Sequence, residues 1–176
     1  MLHISTKLTL LVLCLLFTTT THLKSQIMST DLETFRDINK NLTNISGDLV
    51  DYLGDYVKNS NDSGSDYFFK MSLILTAINY VDEWKLHAYY THNTIVFPIS
   101  TTNDSNIANQ LSKLTKDNIE GLTNKIDSDV SNINSVVAKI ENQAMIIALN
   151  NAKAELRKLK DSFNALSLKL NYYIKQ

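Results

Sequence analysis

Apolar side chains recur at alternating steps of three and four residues through most of this chain, a period that only helices packed side by side can use fully. Phe35, Ile38, Leu42, Ile45, Leu49, Tyr52 and Tyr56 form the first seam, three heptads lying on one helical face. Its flanks carry Asn, Ser, Thr and Asp rather than alternating Glu and Lys, and Leu53 and Val57 widen the stripe. A wide stripe with weak charge pairing predicts a helix over 32–57 that packs into a bundle core, not a free-standing coiled coil. Residues 59–65, with Gly64 among Asn, Ser and Asp, predict a loop.

The next segment, 66–91, differs in kind. Phe68, Phe69, Leu73, Ile74, Leu75, Ile78, Val81, Trp84, Leu86, Tyr89 and Tyr90 leave almost no polar face. A helix apolar all round is expected to be buried among its neighbours, so this one is predicted to be central. Its aromatic residues Phe68, Phe69, Trp84 and Tyr89 are the predicted lining of any hydrophobic pocket. Residues 93–103 hold the single proline, Pro98, after the β-branched run Thr94, Ile95 and Val96, and predict an extended crossover.

Two further seams follow. One runs through Ile107, Leu111, Leu114, Ile119, Leu122, Ile126, Val130, Ile133, Val137, Ile140, Ala144 and Ile147. The other runs from Met145 through Leu149, Ala152, Leu156, Leu159, Phe163, Leu166 and Leu170 to Tyr173. They are out of phase between Ile140 and Ala152. A turn near Glu141 and Asn142, or near Asn150 and Asn151, resolves the mismatch; so does one long helix that changes the face it buries. A single helix from Asp104 onward would exceed ~100 Å, which favours a turn. The fold class expected is therefore all-α, an elongated four-helix bundle with coiled-coil-like antiparallel packing. One proline and four glycines in 176 residues exclude a many-turned β-sandwich or barrel.

Residues 8–17 form an apolar run behind Lys7, interrupted by Thr9 alone, with four threonines after it. A cationic start and a short apolar core are the marks of a secretory signal peptide; ten residues cover only ~15 Å as a helix, half a bilayer's hydrocarbon. The expected organisation is a cleaved signal over 1–25, with cuts after Thr20 or Thr21 as alternatives, and one helical domain over 26–176, secreted from the cell. Cleavage removes two of the 17 cations, Lys7 and Lys24, and none of the 18 acids, leaving a net charge of −3. It also removes the single cysteine, Cys14, so the mature chain would rest on its packed core alone. Four Asn-X-Ser/Thr triplets follow, at Asn41, Asn44, Asn61 and Asn103; Asn61 and Asn103 fall in predicted loops and are the better candidates for N-glycosylation.

Sites for chemistry are scarce. Glu83 and His87 stand four apart on one helical face with His92 nearby, which supplies at most half a metal site, so no metal and no cofactor is expected. There is no Gly-x-Ser-x-Gly elbow and no glycine-rich phosphate loop, and the chain is not expected to be an enzyme. A near-neutral charge gives no footprint for nucleic acid. Lys153, Arg157 and Lys160, with Lys158 between them, form a basic stretch that could meet an anionic partner, diluted by Glu155 and Asp161.

In architecture alone the chain resembles secreted, cysteine-poor helical bundles such as the exchangeable insect apolipoproteins. More loosely it is similar to the small salivary proteins that parasites and plant-feeding arthropods deliver into hosts. The aromatic second helix departs from the first of these. The expectation is a non-catalytic secreted protein that binds an as yet unidentified protein partner, as a host-directed effector would. The alternative is a carrier of lipid or a small hydrophobic ligand, or a bundle that opens its apolar faces onto a membrane surface. A lipid-active bundle needs a Lys/Arg border along its stripes, and only the last helix has one, which favours protein binding.

Overall fold

The computed structural model describes the backbone of residues 2–102 and 104–174 and the side chains of 30–102 and 104–171. Helix α1 (Leu2–Asn59) is followed by α2 (Gly64–Tyr90), a π-helical turn (Thr91–Val96), the short α3 (Phe97–Thr101), α4 (Ser105–Val137) and α5 (Gln143–Ile174). There is no strand among the described residues. The expected signal peptide, 1–25, falls where side chains lie outside those described, and Asn103 lies outside the described residues altogether. Among the described residues, no helix is long and apolar enough to cross a membrane.

Cross-helix bonds fix the topology. Asn39 Nδ2 donates to the Lys85 carbonyl at 2.9 Å and Ser46 Oγ to Asp82 Oδ1 at 2.7 Å, so α2 runs back along α1. Lys153 donates to Asn134 Oδ1 and Lys160 to Asp127 Oδ1, both at 2.7 Å, so α5 runs back along α4. Lys169 to Asp31 at 2.6 Å, and the Phe35 and Phe163 rings 5.6 Å apart, pair α5 with α1 in opposite sense. The result is an antiparallel four-helix bundle. Contact is extensive along α1–α2, α4–α5 and α1–α5, and shorter along α2–α4.

The first and last seams read from the sequence form much of its core. Of the middle seam Ile119, Ile126 and Ile133 are buried, Leu111, Leu122, Val130, Val137 and Ile140 are partly so, and Ile107, Leu114, Ala144 and Ile147 are exposed. Phe35, Ile38, Leu42, Ile45 and Leu49 of α1 are buried, as are Met145, Leu149, Ala152, Leu156, Leu159, Phe163, Leu166 and Leu170 of α5. Each fully buried Leu, Ile or Phe contributes about 1.5–3 kcal/mol relative to exposure. The phase break is a turn over 138–142, where Asn142 Oδ1 accepts the Met145 N–H at 3.0 Å and caps α5. Asp104 caps α4 in the same way, accepting from the N–H groups of Asn106 and Ile107. The link between α1 and α2 shortens to 60–63, and Gly64 takes the left-handed φ of 61° that an L-residue avoids.

Two expectations are corrected. The stretch 93–103 is not an extended crossover: α2 passes through the π turn directly into α3. Pro98 therefore lies within a continuous helical run, and the π turn before it widens the ladder where the ring would crowd the preceding carbonyls. Side chains take up nearby carbonyls, Thr94 Oγ1 on Tyr90 at 2.6 Å and Asn93 Nδ2 on Tyr89 at 3.0 Å. Burial of Val96 and Ile99 outweighs the β-branched preference for strand. Nor is α2 enclosed by its neighbours. A four-helix bundle has no central position, so α2 buries Ile74, Ala77, Ile78, Val81, Trp84 and Ala88 on one side and turns its other apolar side outward.

Candidate functional site

The acid–imidazole pair of α2 belongs to a polar cluster in the α2–α4 seam. Trp84, fully buried, donates its indole N–H to Asp129 Oδ2 at 2.9 Å. Lys125 bridges Asp129 at 3.0 Å and Glu83 at 3.3 Å and stands 5.9 Å from the Trp84 ring centre. The bond to Asp129 raises the Lys125 ammonium above its ordinary pKa; Glu83 adds to this, and burial opposes it. His87 reaches Glu83 at 3.8 Å and packs its ring on Trp84, whereas His92 is directed to Asn93 Oδ1 at 3.0 Å. Among the described residues no group of three or more His, Cys, Asp or Glu comes together as a metal would require.

The basic stretch of α5 is dispersed in the same fashion. Lys153 and Lys160 turn to Asn134 and Asp127 on α4, Lys158 pairs with Glu155 at 2.6 Å, and Arg157 is exposed, with no ion pair among the described residues. Of the predicted pocket lining, Trp84 is core, while Phe68, Phe69 and Tyr89 are more than half exposed, so the four do not meet in one cavity. Asn61 is exposed in the α1–α2 link; Asn41 and Asn44 are exposed on α1 beside a shallow groove edged by Asn151 and Lys158.

What the outward side of α2 does carry is a ridge. Phe68, Leu75, Leu86 and Tyr90 are 63%, 42%, 49% and 53% exposed. Steps of seven, eleven and four residues return to nearly the same angle on an α-helix, so the four share one face along the whole length of α2. Asp82 and Glu83 border it, and each is engaged, Asp82 by Lys85 at 2.6 Å and Glu83 by Lys125. Burial raises the pKa of the Asp82 carboxyl, but the bonds from Lys85 and Ser46 outweigh it and hold the group below its ordinary value.

A second feature lies at the end of the bundle where α1 meets α2 and α4 turns into α5. There a cleft of about 310 Å³ opens between Tyr52, Tyr56, Asp62, Lys70, Ile74 and the 139–142 turn, with Met145 beneath. Tyr56 donates its hydroxyl to Asp62 Oδ2 at 3.0 Å, Lys70 donates to the same oxygen at 2.9 Å, and Tyr67 stacks on Tyr56. These bonds, Lys70 foremost, lower the pKa of Asp62, and Asp62 in turn raises that of Lys70. Burial raises both phenols. The sequence hints at this site only through Tyr52 and Tyr56, one turn apart at the end of the first seam. No protein-family model, curated protein or solved structure matches this chain.

Proposed function

We propose that this is a secreted, non-catalytic protein that acts by binding another protein through the outward face of α2. The observation that carries the reading is the ridge of Phe68, Leu75, Leu86 and Tyr90, apolar side chains spaced along one face of α2 with Ser72 and Asn79 between them, held on a packed core and left open to solvent. Strips of this kind mark interaction surfaces, and aromatic residues with apolar neighbours supply the anchoring energy of protein interfaces. A protein partner is favoured over lipid because Asp82 and Glu83 border the ridge, where a membrane surface calls for Lys and Arg. The partner's complement is an apolar groove with polar edges. Secretion rests on the apolar run 8–17 behind Lys7, and Asn61 in its exposed link is the leading glycan acceptor.

Expressed in a eukaryotic secretory host, the chain enters the medium with a new N-terminus near residue 26 and loses mass on glycosidase treatment. Its partner is sought by capture from the fluid that receives it, comparing the natural protein with Leu75→Glu/Leu86→Glu and with Leu168→Glu on α5. The ridge variant is expected to lose the captured protein at least about tenfold, as removal of anchoring contacts does. The α5 variant retains it. Equal capture by all three, or dye release from anionic vesicles by the natural protein, overturns the reading in favour of another face or of lipid.

A further inference from the structure

We propose that the cleft at the loop end of the bundle binds a small, uncharged aromatic molecule bearing a hydroxyl group. The site is separate from the α2 ridge and does not depend on it. At about 310 Å³ it reaches the lower bound of ordinary ligand pockets, enough for a molecule of one or two rings. Ile74 and Met145, both buried, give it an apolar floor, and Tyr52 gives an aromatic wall.

The charges decide the ligand's own. Lys70 and Asp62 neutralise one another at 2.9 Å, and the rest of the lining adds one cation, Lys139, and one acid, Glu141, so the formal charges of the lining sum to zero. An ammonium placed inside would face Lys70, and a carboxylate would face Asp62. A hydroxyl suits both, since it donates and accepts. Capacity for it is present: the Tyr52 hydroxyl has no hydrogen-bond partner among the described residues, and Asp62 receives both Tyr56 and Lys70 on Oδ2, leaving further acceptor sites on its carboxylate. Tyr56 is already committed to Asp62, which leaves Tyr52 as the free recognition group.

The test is titration calorimetry of the purified protein with para-phenylphenol, and with para-phenylbenzoate and para-phenylbenzylamine as anionic and cationic mimics of the same shape. The phenol is expected to saturate one site, with the charged compounds at least about fivefold weaker. Tyr52→Phe keeps the ring and weakens the phenol by about fivefold, the size of one net hydrogen bond. Tyr89→Phe, at the far end of α2 and outside the ridge, changes nothing. Trp84, the single tryptophan, lies ten residues or ~15 Å along α2 from Ile74, so its emission is expected to stay constant on binding. Absence of saturation, equal affinity for a charged mimic, or indifference to Tyr52→Phe overturns the proposal. A shift of Trp84 emission does so too, since it places the probe inside the helical core.

Discussion

The indole of Trp84 and the carboxylate of Asp129 are the most consequential single pair in the molecule, because both are buried and each completes the other. Asp129→Ala leaves a buried N–H without an acceptor and is expected to cost about 1–3 kcal/mol; Asp129→Asn keeps an acceptor and costs less. Urea midpoints of the two variants check the order. Glycines give a second test with opposite signs. Gly64→Ala forces a side chain into a φ of 61° and is expected to destabilise by about 1–2 kcal/mol, although nothing crowds the new Cβ. Gly121→Ala, in the exposed middle of α4 with equally open space, is expected to stabilise by about 0.5–1 kcal/mol. At this scale the sequence was legible where a side chain's fate depends on its own helix. Phe35 and Phe163 each sit on a seam, and each is buried. It was mute on Asp129, a polar residue whose burial depends on the indole that faces it from another helix.

Among the elements, the helix ends carry the sharpest local chemistry. Asn142 and Asp104 hold the first turns of α5 and α4 by side-chain acceptance of backbone N–H groups, the latter at 2.8 Å to Asn106. Replacing either by Ala is expected to cost about 1 kcal/mol, read as a lowered thermal midpoint with unchanged helical content in the folded state. The phase break between the last two seams was visible in spacing alone, because a helix cannot shift its buried face without turning. The π turn and α3 were not, since the strand-like run Thr94, Ile95, Val96 is helical only through the burial of Val96 and Ile99 against other helices. The outward face of α2 was half legible: the excess of apolar residues showed, but which half would face solvent depended on the number of neighbours. The loop-end cleft was the least legible of all. Its walls come from α1, the link after it, α2 and the turn before α5, and only the closed bundle brings them together.

For the whole molecule, the paired charges set a window of stability. The pKa values of Asp62 and Asp82 are lowered in the folded state, so what they contribute is present above the ordinary carboxylate range and lost as pH falls through their lowered values. Those of Lys70, Lys125, Tyr52 and Tyr56 are raised, so their contribution is intact below the unfolded values near pH 10 and lost as pH rises through the folded ones. Thermal midpoints followed by circular dichroism are expected to be flat from about pH 5 to pH 9 and to fall on both sides. A steady rise or fall across that window would contradict the assignment.

The strong pairings, α1 with α2 and α4 with α5, are each between consecutive long helices, and only the α3 region joins one couple to the other. The protein is thus two hinged leaves closed by the long α1–α5 contact and a thinner one opposite. A gene cut after Thr102 should yield fragments that are poorly ordered apart and regain one cooperative transition when mixed. Such complementation would make the chain a natural split reporter, with Trp84 on one leaf lighting up only when Asp129 arrives on the other.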